Sequence, residues 1–327
     1  MTGVRILGAG VMGLVMASEL TERGHQVELV DPQDGPGPHG CSWWAGGMLA
    51  PHCEGESAEP TVERHGLAAI DWWDRHTGLI QRKGTLVLAQ PRDQAELQRF
   101  ARRSRGHQTL DGAGIAALEP DLAGRFNAGL FYEGEAHLDP RAALAELRRR
   151  LADKGVPIRR SAPDHPADLL IDARGLAARD VLHDLRGVRG EMLVLRCPEI
   201  TLSRPVRLLH PRIPLYIVPR GDGVFMLGAT MIESDRRGIV TVRSLLELLT
   251  AAYTVHPAFG EAEVLETGAD ARPAFPDNLP RLRRQGKVLL ANGLYRHGFL
   301  LSPAVASMAG AHLDTGATPE FMDEDRR

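Results

Sequence analysis

Val4-Arg5-Ile6-Leu7-Gly8-Ala9-Gly10-Val11-Met12-Gly13 stands near the start of the chain, and its reading decides how the surrounding residues fold. Residues 4–7 form a short apolar run of the kind that makes a buried strand. They meet Gly8-Ala9-Gly10-Val11-Met12-Gly13, a G-x-G-x-x-G turn. Helical spacing follows through Leu14, Ala17 and Leu20, and Gly24 is placed to end that helix. A second strand over residues 26–30 ends in Asp31. Each glycine has a mechanical reason. Gly8 permits the tight turn, Gly10 lets the backbone approach a pyrophosphate, and Gly13 lets the helix pack against the strand. The helix N-terminus offers unpaired N–H groups and a partial positive charge to phosphates. Asp31 is placed to accept hydrogen bonds from a ribose diol. Strand, glycine turn, helix, strand and terminal acid, in this order within one unit, predict a dinucleotide site. The motif alone leaves NAD and FAD both open.

Outward from that unit, residues 32–40 are too rich in proline and glycine for helix or central strand. Cys41-Ser42-Trp43-Trp44-Ala45-Gly46-Gly47-Met48-Leu49-Ala50-Pro51 follows, where Ala45, Gly46 and Gly47 permit close backbone approach to a flat group. The pattern then predicts a helix over 62–75, a strand over 85–89, a helix over 93–103 and a strand over 128–132. Asp139-Pro140 reads as an N-cap with proline at the first helical position, opening a helix that Gly155 stops. Short strands are expected at 156–159 and 169–172, the second running into Arg174-Gly175. Strands at 190–196, 215–219 and 224–229 read as antiparallel, with Arg220-Gly221-Asp222-Gly223 as a hairpin connection. A helix is expected over 242–253 and a strand near Val264. The last unit is a strand at 287–291 and a small-residue helix beginning after Pro303, followed from about Thr315 by a polar tail.

Parallel α/β texture therefore sits at the start, middle and end, with antiparallel β stretches between. That order predicts an α/β fold with a Rossmann-type dinucleotide domain interleaved with a second, α+β domain built on a mainly antiparallel sheet. The expected division is 1–78, 139–185 and 276–327 for the first domain, and 79–138 and 186–275 for the second.

A chain of 327 residues, 43% hydrophobic and 25% charged, has the makeup of an ordinary globular protein. A formal net charge of −3 supplies no field that would draw it to nucleic acid or an acidic membrane. Arg148-Arg149-Arg150 reads as a solvated helix face. Three cysteines, Cys41, Cys53 and Cys197, without C-x-x-C spacing, argue against a disulfide framework and against structural zinc. His52 and Glu54 have metal-compatible chemistry but lack an accompanying ligand set. No apolar run approaches the roughly 20 residues that span a bilayer. A cytoplasmic protein without a membrane segment is expected.

Five separated blocks then resemble one known family. They are the Gly8-to-Gly13 turn; Ala45-Gly46-Gly47-Met48-Leu49-Ala50-Pro51; His137-Leu138-Asp139-Pro140; Tyr216-Ile217-Val218-Pro219-Arg220 with Gly228-Ala229-Thr230-Met231; and Arg272-Pro273 with Tyr295-Arg296-His297-Gly298. Together they resemble the D-amino-acid-oxidase-like flavoenzymes, and within them the glycine oxidases of thiamine thiazole biosynthesis. The resemblance decides for FAD over NAD. It implies that Val11, Met12 and the neighbouring glycines meet the diphosphate, and Asp31 and Pro32 the adenosine side. Cys41, Ser42, Gly46, Gly47 and Met48 would line the ribityl chain and isoalloxazine. Leu294-Tyr295-Arg296-His297-Gly298-Phe299-Leu300 would wrap the flavin pyrimidine ring, with Gly175 also at the cofactor.

Arg272 matches the arginine that clamps a substrate carboxylate and Tyr216 the tyrosine that hydrogen-bonds it; Arg296 and Met231 match residues of the same pocket. Arginine offers a planar bidentate fork that lysine cannot reproduce. The expected reaction is oxidative deamination of glycine, with sarcosine and small D-amino acids in range, giving imine or glyoxylate and hydrogen peroxide. Molecular oxygen is the expected partner, the FAD is expected to be non-covalent, and the resemblance implies a homo-oligomer. The helix after Pro303 is expected to aim its N-terminus at the flavin. Two departures stand out: residues 160–168 are short where relatives carry a fuller hairpin, and Pro214 replaces a polar position. A D-amino-acid oxidase or dehydrogenase of other substrate range, an NAD(P)-dependent dehydrogenase and a non-catalytic binding module are the competing readings.

Overall fold

The computed structural model describes residues 2–210 and 215–323. Pro214 lies outside the described residues. Gly3–Leu7 buries Val4 and Ile6 and pairs in parallel on both sides, with Gln26–Val30 and with Leu169–Asp172. Among the described residues this sheet has six strands in the order Arg281–Gln285, Val288–Asn292, Leu169–Asp172, Gly3–Leu7, Gln26–Val30, Ile158–Arg159. All neighbours are parallel except Arg281–Gln285, which is antiparallel at the edge. The chain leaves Gly3–Leu7 toward one side and comes back on its other side only at residue 169. That reversal opens a crevice at the carboxyl end of Gly3–Leu7, where open α/β sheets bind ligands.

The helix Val11–Glu22 is apolar nearly all round because it is covered nearly all round. The sheet lies on one side and the helices Pro140–Asp153 and Gly298–Thr315 on others. Asp139 caps Pro140–Asp153 as the Asp-Pro pattern predicts, its carboxylate accepting the N–H groups of Arg141 and Ala142. Arg149 and Arg150 lie on the outer side of that helix, paired with Glu146.

A second sheet, of nine strands among the described residues, carries the antiparallel stretches. Its path runs Ile232–Glu233, Arg186–Arg196, Val224–Gly228, Leu215–Gly221, Val206–Leu209, Thr85–Ala89, Ala128–Tyr132, Gln108–Asp111, and Glu263–Ala274 pairs with the long strand Arg186–Arg196. Among the described residues only Val206–Leu209 with Thr85–Ala89 is parallel. Its own core contains Phe225, Phe126 and Leu248, separate from that of the first sheet. The expected mixed fold is therefore present. No helix among the described residues is long and apolar enough to cross a membrane.

Three expectations are corrected. The last helix begins at Gly298, five residues before Pro303, and holds that proline inside. Proline cannot donate to the carbonyl four residues back, which is that of Phe299. The indole N–H of Trp73 donates to that carbonyl at 2.8 Å, so a side chain from elsewhere replaces the missing backbone donor. The expected polar tail is docked: Phe321 is buried, and Leu282 N–H donates to its carbonyl at 2.8 Å. The expected single helix over 62–75 is two, Pro60–Gly66 and Ala69–Thr77, with Gly66 pressed against Leu300. The edge strands Gln108–Asp111 and Arg281–Gln285 escaped the sequence reading because sheet edges are short and polar and lack the apolar alternation of inner strands.

Candidate functional site

A cavity of about 790 Å³ opens at the carboxyl end of Gly3–Leu7 and runs to the second sheet. Every candidate residue singled out from the sequence lines it except Gly13. Gly13 lies behind the turn, where a Cβ would stand 1.8 Å from the Gly8 carbonyl oxygen. Gly8 has a left-handed φ of +93°, and a Cβ there would meet the Ala173 carbonyl oxygen at 2.7 Å. The turn is thus seated on the loop that follows the neighbouring strand Leu169–Asp172.

The two oxygens of Asp31 accept the N–H groups of Ala9 and Gln33, each at 2.8 Å. The carboxylate therefore ties the glycine turn to the end of the second strand, with lone pairs left for a ligand. Ser42 Oγ accepts the Val11 N–H at 3.0 Å, a contact across 31 residues that no local pattern announces. The first turn of Val11–Glu22 carries no acidic side chain of its own that would compete with an anion at its positive end. A glycine cradle, a helix N-terminus without an acidic side chain in its first turn and an acid at the next strand end fit a dinucleotide.

Midway along, the flat group that approaches Gly46 belongs to the protein itself. The Tyr216 ring sits between Gly46 and Gly228, where added Cβ atoms would stand 2.7 and 2.6 Å from ring carbon and hydroxyl oxygen respectively. Two glycines on different elements thus set the position of one tyrosine. Burial raises the Tyr216 hydroxyl above its ordinary value, so it remains a proton donor. Arg220 donates to the Gly46 carbonyl at 2.8 Å and to the Leu138 carbonyl at 3.3 Å, fixing the 45–48 loop from below. Cys41 also lines the cavity; burial, assisted by Asp270, pushes its thiol up to about 12, so it is protonated and unreactive.

At the far end Arg272 lies across Gly190, where a Cβ would stand 2.1 Å from its Nη2. Its Nη1 donates to the Thr230 carbonyl at 3.3 Å, and among the described residues it makes no ion pair. Arg296 is held differently. Its Nη2 lies 2.8 Å from Glu54 Oε2 and donates to Ser57 Oγ at 2.9 Å, while Nη1 points at Met231 Sδ. Tyr295 also donates to Met231 Sδ, at 3.4 Å. Glu54 has two more basic neighbours, the Arg207 guanidinium with Nη1 at 3.7 Å and the His297 imidazole with Nδ1 at 3.4 Å. Burial alone would raise its carboxyl; Arg296, His297 and Arg207 outweigh that and hold it at about 2. Burial lowers His297 to about 4 despite Glu54, leaving it neutral at neutral pH.

Glu54 and Arg207 were missed as site residues, and Glu54 was weighed only as a metal ligand. Its charge partners lie more than 150 residues away in sequence, so spacing carried no signal. Among the described residues no group of three or more His, Cys, Asp or Glu is placed to hold a metal ion.

Residues 4–311 match the model of the family described as FAD dependent oxidoreductase, DAO. Over 320 residues the chain is 55% identical to a Rhizobium etli protein bearing the provisional name of thiamine biosynthesis oxidoreductase ThiO, covering 95% of this chain and 97% of that one. It is 26% identical over 363 residues to the glycine oxidase of Pseudomonas aeruginosa, covering 97% and 95% of the two chains. Among solved structures, glycine oxidase from Geobacillus kaustophilus is similar with a TM-score of 0.81 at 23% identity, covering 98% of this chain and 96% of that one. That last likeness is one of fold.

Proposed function

The chain belongs to the FAD-dependent oxidoreductase family, and from that premise we propose that it oxidatively deaminates glycine, with sarcosine and small D-amino acids as further substrates. The product would be an imine that hydrolyses to glyoxylate or serves thiamine thiazole synthesis, with oxygen reduced to hydrogen peroxide. The observation that carries this reading is the Arg272 guanidinium: it lines the cavity without an ion-pair partner among the described residues, in the same cavity as Tyr216.

In this reading Gly8, Gly10, Val11 and Met12 hold the diphosphate by backbone and helix N-terminus, and Asp31 with Pro32 the adenosine end. Ser42, the 46–48 loop, Gly175 and residues 294–300 form the walls around the flavin. The protonated Cys41 thiol suits non-covalent binding. When bound, FAD supplies the acceptor for the hydride leaving the substrate α-carbon. The protein contributes orientation. Arg272 takes the carboxylate as a bidentate fork, the Tyr216 hydroxyl donates to it, and the α-carbon is thereby presented to the flavin wall. Water adding to the imine carbon, with loss of ammonia, yields glyoxylate.

Purified protein should be yellow and should release peroxide with glycine. Losing a charge-assisted fork costs about 3 kcal/mol, so Arg272→Ala should lower kcat/KM for glycine by roughly a hundredfold with flavin content kept. A variant within threefold of wild type overturns the assignment. Turnover only with an artificial electron acceptor would make the protein a dehydrogenase, and a colourless preparation reducing NAD(P) would remove the flavin reading.

A further inference from the structure

Among the described residues the far end of the cavity gathers four guanidinium groups, Arg207, Arg237, Arg272 and Arg296, and a carboxylate, Glu54, that touches two of them, Arg207 and Arg296. Asp270, the other carboxylate in this part of the lining, is taken by Arg237 at 3.0 Å. Glu54 lies on the short helix Pro51–Glu54, and Cys53, its neighbour there, is tied through its N–H to the buried Glu135 at 2.8 Å. Its position is therefore set by the fold and not by a flexible surface segment. The remaining polar partners of Arg296 are neutral: Ser57 Oγ and Met231 Sδ. Thr230, the residue before Met231, holds Arg272 through its carbonyl. Arg272 and Arg296 thus line the same chamber, the first without a salt-bridge partner among the described residues and the second paired with Glu54.

From this arrangement we infer that Glu54 is a specificity-determining residue: by neutralising Arg296 it confines the chamber to ligands that carry a single carboxylate. A second carboxylate entering beside Met231 meets a guanidinium whose charge is already matched, and it meets Glu54 itself at contact range. Two anions facing one cation repel one another, and both must shed water to enter. With Glu54 made neutral, Arg296 keeps its place against Ser57 and Met231 and presents an unmatched charge. A dicarboxylate then bridges Arg272 and Arg296. The inference rests on the reading that Arg272 takes the substrate carboxylate.

The test is an equilibrium titration of the FAD-loaded enzyme, followed by flavin absorbance, with propionate and with succinate. These inert acids differ by the second carboxylate. The wild type should bind propionate at least as tightly as succinate. Glu54→Gln should shift the succinate-to-propionate preference by tenfold or more toward succinate, Glu54→Asp should keep the wild-type preference, and adding Arg296→Met to Glu54→Gln should abolish the gain. Arg296→Gln alone leaves the Glu54 charge facing the chamber and should lower the succinate preference threefold or more. That arm decides the matter if Glu54→Gln fails to retain FAD. The same order should appear in kcat/KM for D-aspartate against D-alanine.

A Glu54→Gln preference within threefold of wild type overturns the inference, as does a gain that survives loss of Arg296. If the wild type binds neither acid, the premise about Arg272 goes and the inference with it. If it binds propionate yet does not oxidise glycine, the proposed reaction fails while the charge-limiting role stands on the titrations.

Discussion

Trp73→Phe tests how the last helix keeps a proline five residues from its start. Trp73 is fully buried, stacks on Phe299 at 5.2 Å, and donates its indole N–H to the Phe299 carbonyl at 2.8 Å. Phenylalanine retains a ring against Phe299 but removes the donor, and Pro303 cannot supply one. A buried acceptor left without a partner costs about 1–3 kcal/mol. The smaller ring adds a packing loss of about 1–2 kcal/mol, at the low end for shrinking a core aromatic. The summed cost is roughly 2–5 kcal/mol. The two contributions separate in a double-mutant cycle with Pro303→Ala, which restores a backbone N–H to the Phe299 carbonyl. In that background Trp73→Phe should lose only the packing part, so the interaction energy is the donor part, about 1–3 kcal/mol. Urea unfolding at one fixed, saturating FAD concentration measures all four proteins on a common footing. Because Gly298, Phe299 and Leu300 line the cavity, Trp73→Phe should also weaken FAD retention on dilution. Additive costs within 0.5 kcal/mol would refute the donor-replacement argument.

Gly13→Ala forces a Cβ to 1.8 Å from a backbone oxygen of the turn, with no flexible neighbour to yield. It should purify with far less flavin per chain; a stoichiometric flavin content would contradict the packing argument. Gly46→Ala places a Cβ 2.7 Å from the Tyr216 ring and should raise KM for glycine about tenfold while flavin content holds. An unchanged KM would mean that Tyr216 does not set substrate affinity. Burial raises the Glu135 carboxyl from the ordinary 4.5 to about 7. A carboxyl whose pKa is raised on folding gives its stability in full below about 4.5 and loses it as pH rises through 7. Glu135→Gln, which keeps an acceptor for the Cys53 N–H, should therefore gain up to roughly 3 kcal/mol on wild type between pH 5 and pH 8. A difference that does not change with pH would rule out a buried, titrating Glu135.

The two sheets could be read in outline because their inner strands are apolar runs bounded by turn residues. Gln26–Val30, Thr85–Ala89, Ala128–Tyr132 and Leu169–Asp172 appear at the expected bounds. The glycine turn, the Asp139-Pro140 cap and the acid at the second strand end are local devices as well, written within a few residues of where they act. Arg272 and Tyr216 could be singled out by resemblance, and the fold brings both to one cavity with the turn.

What the tertiary structure decided is which charges are spent and which are left over. Arg296 and Arg272 look alike in sequence, yet one is matched by Glu54 from a distant helix and the other is not. The same holds for Pro303, whose helix survives through a donor on Trp73, and for Gly46, whose neighbour is a tyrosine 170 residues on. Backbone preference and apolar periodicity act over one or two turns of chain, so the sequence alone determined the inner strands and the glycine turn with its strand-end acid. Ion pairing and hydrogen-bond replacement act through space between segments that spacing does not relate, so only the folded chain determined the charge left to meet a substrate.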